Sequence, residues 1–435
     1  MNNRLLRCVL IVSMAGFLFG FDSVLISGVN LPIKQLWNLS DWFHGAFIIS
    51  ISLWGTVVGA LIGGYPTDRW GRKPTLLLVG VLFSVSALGT ALAASPYIFS
   101  FFRFVGGVAA GTGSIAAPAY ISEVSMAKHR GKLGMLFQFN LVTGILMAFF
   151  SNYALDNVGG DGEDWRWMMG IMLVPSLLFT VLLLGIVESP RWSIIKGKNT
   201  EEALEILKLI SAEKENLLQH TSQAGLFSGK YNRILLIVFL MTFFNQFSGI
   251  SFILFYAPEI FEKAGFATGE SLLGAVSIGV VNLLFTLAGM YLIDRIGRKK
   301  LMYLGSIGYI VSLAMVACGF YFGLPASFTL IFVLAFIASH SIGQGAVIWV
   351  YMAEIFPTSI RSYGQAWGSG LLNIFAAIIT LVGAVLINSL APWMMFACFA
   401  ALMVLQLLFT AFIMPETKGV PLEDLETKLV TSSAQ

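Results

Sequence analysis

Long runs of apolar residues, separated by short polar connections, follow one another along almost the whole chain. Twelve of these runs reach the roughly 20 residues that an α-helix needs to cross a bilayer. We therefore predict an all-α membrane protein whose twelve transmembrane helices form two halves of six. The predicted spans are 8–29, 44–65, 75–94, 97–121, 132–154, 166–187, 234–257, 271–293, 301–322, 326–353, 363–388 and 392–414.

One long polar stretch, residues 188–233, interrupts this pattern between the sixth and seventh spans. The predicted organisation is an N-terminal half (1–187), a cytoplasmic linker (188–233), a C-terminal half (234–414) and a cytoplasmic tail (415–435). Within the linker, residues 200–218 have the pattern of a short amphipathic helix, with Thr200 as its N-cap.

Composition supports the membrane assignment. Hydrophobic residues make up 57% of the chain and charged residues 11%, whereas soluble proteins carry roughly 25% charged residues. Basic residues stand in short loops and not on a sustained polar face, so no nucleic-acid partner is expected. We find no Walker loop, nucleophile-elbow sequence or metal-ligand cluster, and so we expect no enzyme activity, cofactor or metal site.

The distribution of Lys and Arg predicts that both termini face the cytoplasm. In that orientation the inner loops and termini hold 22 of the 26 basic residues, because only Lys34, Arg166 and Lys263 fall in outer loops and Arg103 falls within a span. Cytoplasmic loops of membrane proteins carry such an excess. We expect a multi-pass plasma-membrane protein, in the inner membrane if the source is bacterial, that functions as a monomer in the bilayer.

Charged sequence elements recur in the same order about 230 residues apart. Asp68-Arg69-Trp-Gly-Arg72-Lys returns as Asp294-Arg295-Ile-Gly-Arg298-Lys, Tyr-Ile-Ser-Glu123 with Arg130 returns as Tyr-Met-Ala-Glu354 with Arg361, and Glu188-Ser-Pro-Arg191 is echoed by Pro-Glu416-Thr-Lys. All of these elements fall at predicted cytoplasmic helix ends. Internal repeats of this kind are typical of transporters whose halves move around a site between them.

These elements, together with Arg103-Phe-Val-Gly-Gly and Pro-Glu416-Thr-Lys-Gly, resemble the sugar porter family of the major facilitator superfamily. That family includes bacterial proton-coupled xylose and galactose symporters and the animal facilitative glucose carriers. The resemblance covers nearly the whole chain and implies an alternating-access transporter of the major facilitator fold.

The repeated charges form a candidate cytoplasmic gate. They could instead be positive-inside anchors with ordinary surface ion pairs, each worth about 0–1 kcal/mol. That alternative leaves unexplained why acids recur at fixed offsets beside the basic residues. The candidate gate residues are Asp68, Arg69, Arg72, Glu123, Arg130, Glu188, Arg191, Asp294, Arg295, Arg298, Glu354, Arg361 and Glu416.

Asp22 and Arg103 are the ionisable acid and base placed well inside the spans of the first half. Asp22 is eight residues before Asn30, and Arg103 is eight residues after Ser95. Both therefore lie about 12 Å below the outer boundary, and each needs a partner or a wet cavity. A static ion pair is one interpretation. The other is a proton carrier, and the resemblance implies it, because Gly16-Phe-Leu-Phe19-Gly20-Phe-Asp22 is similar to the first-span motif of the proton-coupled members.

Amides and aromatic side chains near mid-membrane are the pattern expected of a sugar-binding chamber. Gln138, Asn245, Gln246, Asn282 and Trp349 have this placement. The resemblance supports Gln138, Gln246, Asn282 and Trp349, and adds Phe19. Ser251 and Asn373 occupy family binding positions where other residues are usual, and Phe255 and Ala346 depart similarly. The second-half chamber is thus expected to be less polar than a typical hexose site.

Together these observations predict a proton-driven symporter that imports a monosaccharide or a similar polyol. Two alternatives remain open at this point. A facilitative uniporter would lack the coupling acid, so Asp22 argues against it. A proton-coupled exporter of another small molecule would fit the altered chamber.

Overall fold

The computed structural model describes residues 3–125, 127–156, 158, 162–196, 226–227, 229–357 and 360–418. The predicted linker helix at 200–218 lies outside these residues, as does most of the predicted tail. The membrane-spanning segments of the described chain are helical apart from short local breaks, which confirms the predicted fold class.

Twelve helices in the described residues are long and apolar enough to cross a membrane, and we number them span 1 to span 12. Their ends differ from the predicted limits mostly by a few residues, because the polar residues that flank each apolar run continue the helix. The spans are Leu5–Gly28, Asp41–Arg69, Arg72–Ala91, Pro96–Val124, Leu133–Leu155, Asp164–Leu184, Asn232–Phe255, Thr268–Ile296, Arg298–Phe322, Ala326–Ile355, Tyr363–Ser389 and Pro392–Phe412.

Span 7 is broken, although the sequence predicted one continuous run. Its helix Asn232–Phe247 ends, and a short helix Ile250–Phe255 follows it. Gly249 between them has φ +88°, a conformation that glycine adopts without a steric penalty. A Cβ at this glycine would also collide with the Phe399 ring on span 12. The apolar pattern continues through the break, so hydrophobicity alone does not indicate it.

Two spans contain a π-helical segment. His44–Ile49 near the N-terminal end of span 2 is one, and Ser341–Gly345 in span 10 is the other. Span 1 ends in a 3₁₀ turn, Ile26–Gly28. Such segments shift the face that each following side chain presents, and they are frequent at functional sites.

The chain divides into two compact units, Met1–Leu218 and Gln219–Gln435. The division falls inside the stretch treated above as a linker, while the finer domain limits stay a prediction. In the first unit, span 2 packs closely against span 4, since Gly55 lies on the Phe104 carbonyl and Gly107 on the Ser52 carbonyl. Small residues permit this approach of helix backbones in a membrane.

Candidate functional site

The first unit contains a buried ion pair between span 1 and span 4. Arg103 Nη1 donates to Asp22 Oδ1 at 2.7 Å, and both guanidinium Nη atoms reach the Asp22 carbonyl at 3.3–3.4 Å. The Arg103 side chain is fully buried and that of Asp22 is 6% exposed. The equal depth inferred from the sequence thus corresponds to a direct contact.

Local sequence explains how this pair is held. Gly20 lets span 1 lie against the Leu141 carbonyl of span 5. On the other side of Asp22, Ser52 Oγ of span 2 donates to Oδ2 at 3.1 Å. The carboxylate therefore has a partner on each oxygen, as a buried charge requires. Protonation of Asp22 would remove the anion that compensates Arg103.

At the opposite end of the same unit, which the Lys and Arg count predicts to be cytoplasmic, Arg72 is the centre of the charge cluster. Its Nη2 lies 2.7 Å from Glu123 Oε1 and its Nη1 lies 3.3 Å from Asp68 Oδ1. Glu123 Oε2 in turn accepts from Ser189 Oγ at 2.5 Å. The cluster thereby joins the ends of spans 2, 3 and 4 to the segment after span 6.

Glu188 caps the first turn of span 3. Its carboxylate accepts from the backbone N–H groups of Arg72, Lys73 and Ser189 at 2.7–3.2 Å, and an acid is favourable at a helix N-terminus. Burial nevertheless raises the pKa of Glu188, against the lowering effect of these backbone donors. Gly71, with φ +113°, leads the chain into this turn.

The second unit repeats this arrangement. Arg298 Nη2 lies 2.7 Å from Glu354 Oε1 and 3.1 Å from Asp294 Oδ1. Glu416 accepts from four backbone N–H groups, those of Arg298, Lys299, Thr417 and Lys418, each at 3.0 Å. Burial alone would raise the pKa of Glu416, but these donors lower it below its ordinary value.

Other predicted gate residues lie differently. The guanidinium of Arg69 contacts the Tyr65 hydroxyl, and that of Arg295 lies 4.2 Å from the centre of the Tyr291 ring. In the described contacts, these two arginine side chains lie against aromatic rings and are not part of the carboxylate clusters. The side chains of Arg130 and Arg361 lie outside the described residues. Arg191 is half-buried and has an interaction partner.

Three of the predicted binding residues form one network in the second unit. Gln246 Nε2 donates to Asn245 Oδ1 at 2.9 Å, and Ser251 Oγ donates to Gln246 Oε1 at 2.5 Å across the break in span 7. All three are buried. The Gln246 amide is thus oriented by its neighbours on both sides.

The remaining predicted binding residues lie separately. Asn282 Oδ1 accepts from Ser341 Oγ at 2.9 Å, at the start of the π-helical segment of span 10. Asn373 donates to the Ser369 carbonyl of its own helix at 2.9 Å. Trp349 is 37% exposed. In the first unit, Phe19 and Gln138 are half-buried.

A family model described as "Sugar (and other) transporter" matches residues 8–429 of the chain. The chain belongs to the sugar transporter family. This confirms the resemblance inferred from the charged repeats, and the twelve spans make the protein a multi-pass membrane protein.

Relatives within the sugar transporter family include two bacterial symporters. The chain is 35% identical to the arabinose-proton symporter of Bacillus subtilis over 95% of this chain and 92% of that one. It is 30% identical to the D-xylose-proton symporter of Escherichia coli over 98% and 96%. Among solved structures, the inward open conformation of the xylose transporter XylE from E. coli matches with TM-score 0.86 and 28% identity, covering 98% of this chain and 99% of that one.

Several polar contacts of this sugar transporter were not predicted. Ser189 and Thr417 each donate to a predicted gate acid of their own unit, Glu123 and Glu354 respectively. Both follow directly after a repeated glutamate, so comparison of the two halves could have found them. Ser52, which binds Asp22, has no such signal, because serine within an apolar span is common and its partner is distant in sequence.

Proposed function

We propose that this chain is a proton-coupled symporter of the bacterial inner membrane that imports a monosaccharide or a similar polyol by alternating access. The buried Asp22–Arg103 pair is the observation that carries this proposal. The two symporters named above support it, since their names describe sugar movement together with protons.

Asp22 has the environment that proton coupling requires. A buried carboxylate is stabilised in its charged form by a cation and a hydroxyl donor, here Arg103 and Ser52. Its proton affinity therefore rises whenever a conformational change moves the arginine away. Because such linkage is reciprocal, protonation of Asp22 favours the conformation in which the pair is loosened.

Sugar recognition is assigned to the polar residues of the second unit and to Phe19 and Gln138. An amide offers both donors and acceptors, which match the hydroxyl groups of a sugar. The network of Asn245, Gln246 and Ser251 would hold one amide in a fixed orientation, and Asn282 would present a second one.

The repeated charge clusters are proposed to stabilise the cytoplasmic helix ends of each unit in one transport state. Every described ion pair of the clusters lies within a single unit. An interaction that exists in one conformation and is lost in the other contributes to the difference in their free energies.

Uptake of radiolabelled L-arabinose, D-xylose and D-glucose tests the proposal. Cells that express the chain should accumulate at least one of these sugars against its gradient, and a protonophore should abolish accumulation. In Asp22→Asn cells, accumulation should fall to equilibrium with the medium, while exchange of internal for external sugar continues because the binding residues are intact.

The comparison variant is Ser52→Ala, which removes one hydrogen bond but leaves the titratable group. It should retain accumulation at a reduced rate. Uphill accumulation by correctly inserted Asp22→Asn protein would end the proton-carrier assignment. Protonophore-insensitive equilibration by the unaltered chain would indicate a facilitative uniporter, and proton-dependent extrusion would indicate an exporter.

A further inference from the structure

Five buried polar atoms at the outer end of the first unit have no hydrogen-bond partner among the described residues. They are Ser27 Oγ, Asn30 Nδ2, His44 Nδ1, Asn152 Oδ1 and Trp165 Nε1. Each of these side chains belongs to a residue that is at most 3% exposed. An unsatisfied buried polar group costs roughly 1–3 kcal/mol. Such a concentration at one end of one unit therefore indicates a place where internal water binds.

Two of these residues make a close contact between the short helix Asn30–Leu36, which follows span 1, and the start of span 2. His44 Nε2 and Asn30 Oδ1 are 2.5 Å apart. An amide oxygen only accepts hydrogen bonds, so the ring carries its hydrogen on Nε2. His44 Nδ1 is then a bare lone pair, buried and available to bind a proton.

The His44–Asn30 contact lies outward of the Asp22 site. Asp22 on span 1 and Ser52 on span 2 form one bond, and Asn30, two residues after the end of span 1, forms the other with His44 on span 2. The two bonds are separated by eight residues on each segment, from 22 to 30 and from 44 to 52. Eight residues of regular helix rise about 12 Å, although the 3₁₀ turn Ile26–Gly28 and the π-helical segment His44–Ile49 interrupt the regular helix here. Ser27, with its free hydroxyl, stands between them on span 1.

Span 5 also contacts this region, through Asn152. Asn152 Nδ2 donates to the Leu25 carbonyl at 3.0 Å, and its amide lies against Gly28, where a Cβ would overlap it. The oxygen of that amide, Oδ1, is the fourth of the buried atoms above. The polar atoms are thus contributed by several helices of one unit to the same outer end.

Few charges compete for a proton here. Lys34, on the short helix after span 1, and Asp41, at the start of span 2, pair with each other, with Nζ and Oδ1 2.5 Å apart. Span 4 packs against the start of span 2. Of its two charged residues, Arg103 is bound to Asp22, and Glu123 lies at the opposite end of the helix, bound to Arg72. On the segment before span 6, Glu163 pairs with Arg166.

We infer that His44 is a proton relay, and that water held by the neighbouring polar atoms connects it to Asp22 inside the first unit. A proton from the outer solution binds the Nδ1 lone pair while Nε2–H continues to donate to Asn30. The same Nδ1 then releases the proton through water to the Asp22 carboxylate, and the ring returns to its neutral form. Histidine suits this role because one ring nitrogen can bind a proton while the other keeps its hydrogen bond.

This inference rests on the proposed function, in which Asp22 carries the proton. It makes proton delivery separable from sugar binding, since no predicted sugar-binding residue belongs to the route. A relay changes the rate of proton delivery and not the stoichiometry of coupling. Loss of His44 should therefore slow uphill transport without altering the accumulation that is finally reached.

The experiment uses His44→Gln in cells, with the panel sugar that the unaltered chain accumulates. At an outer pH of about 7.5, the initial rate of uphill uptake should fall about tenfold, which is less than the ~10²–10⁴-fold loss of a general acid–base catalyst because protons still reach Asp22 through water. Sugar exchange, which needs no net proton movement, should stay unchanged. Lowering the outer pH to about 5.5 should restore most of the uphill rate by raising the supply of protons.

Two further variants keep the test decisive if His44→Gln folds poorly. Ser27→Ala removes a hydroxyl from the middle of the route and should slow uphill uptake severalfold with normal exchange. His340→Gln is the matched control, because His340 is also an intramembrane histidine and hydrogen-bonds to Tyr309 at 2.7 Å in the second unit. Any loss it causes should affect exchange and uphill uptake equally.

An unchanged uphill rate in His44→Gln, or a parallel fall in exchange that acid does not correct, would overturn the relay. Asp22→Asn separates this outcome from failure of the proposed function. If Asp22→Asn abolishes accumulation and His44→Gln does not slow it, the coupling acid stands and only the route is wrong. If Asp22→Asn accumulates sugar, the proposed function itself fails.

Discussion

Gln246 and Asn282 are buried amides of the second unit, and each is oriented by polar neighbours. Gln246 is oriented by Asn245 and Ser251, while Asn282 is fixed through Ser341. Preorganised groups of this kind lower the entropic cost of binding. Asn373, in contrast, already donates to its own helix, which leaves less of its amide for a ligand.

Replacement of Gln246 or Asn282 by alanine should weaken sugar binding. Loss of a buried hydrogen bond costs roughly 1–3 kcal/mol, or about one to two decades in affinity. We expect the half-saturation concentration for uptake to rise about tenfold or more with normal membrane insertion. Gln406→Ala is the control, because Gln406 is a fully buried amide of span 12 outside the proposed site. Unchanged affinity in both site variants would exclude these residues from the chamber.

At the scale of the helix end, Arg69 at the end of span 2 and Arg72 at the start of span 3 have different surroundings although they are close in sequence. Arg72 contacts Glu123, Asp68 and the Thr67 carbonyl, whereas Arg69 is exposed and lies on Tyr65. Removing one member of a partly buried pair leaves the other without its counter-charge, while exposed interactions contribute little.

Arg72→Gln should therefore impair transport, and Arg69→Gln should leave it nearly unchanged. If the cluster stabilises one transport state, Arg72→Gln should slow net uptake by about tenfold while sugar binding to the purified protein stays close to normal. Arg298→Gln, with Arg295→Gln as its control, repeats the comparison in the second unit. Equal loss of binding and transport in Arg72→Gln would favour a role in folding alone.

The two capping acids should respond to pH in opposite ways. Because burial raises the folded-state pKa of Glu188, the folded protein binds more protons than the unfolded chain between the ordinary and the raised pKa. Stability from this group therefore falls as pH rises through that interval. The pKa of Glu416 is lowered, so its contribution is present above the ordinary pKa and is lost as the pH falls.

Thermal unfolding of purified Glu188→Gln and Glu416→Gln checks this difference. At about pH 7.5, Glu416→Gln should lower the melting temperature, because a neutral amide replaces an ion stabilised by four backbone donors. Glu188→Gln should cause a smaller loss or a gain, since the cost of burying its charge disappears. The difference between the two variants should narrow as the pH falls below the ordinary pKa of a glutamate. A larger loss in Glu188→Gln at neutral pH would contradict the assigned directions.

For the whole molecule, the twelve apolar runs were sufficient to predict the spans, because a bilayer requires about 20 apolar residues in each crossing helix. The depth of Asp22 and Arg103 likewise followed from counting residues. Counting residues could not predict the local breaks in helical geometry, because these leave the apolar pattern intact and depend on packing against other helices. They are the break at Gly249 and the π-helical segments His44–Ile49 and Ser341–Gly345.

The orientation of the molecule remains a prediction from the Lys and Arg count, and it has a direct test. With a cytoplasmic N-terminus, Ala94 between spans 3 and 4 faces outward, and Lys196 after span 6 faces the cytoplasm. Both are exposed. In a chain whose Cys8, Cys318 and Cys398 are replaced by alanine, a membrane-impermeant maleimide should label Ala94→Cys in intact cells. Lys196→Cys should react only after the membrane is permeabilised, and the reverse pattern would invert the topology. The inferred proton route requires the same orientation of the chain, because His44 can receive protons from outside only if the loop between spans 1 and 2 is external.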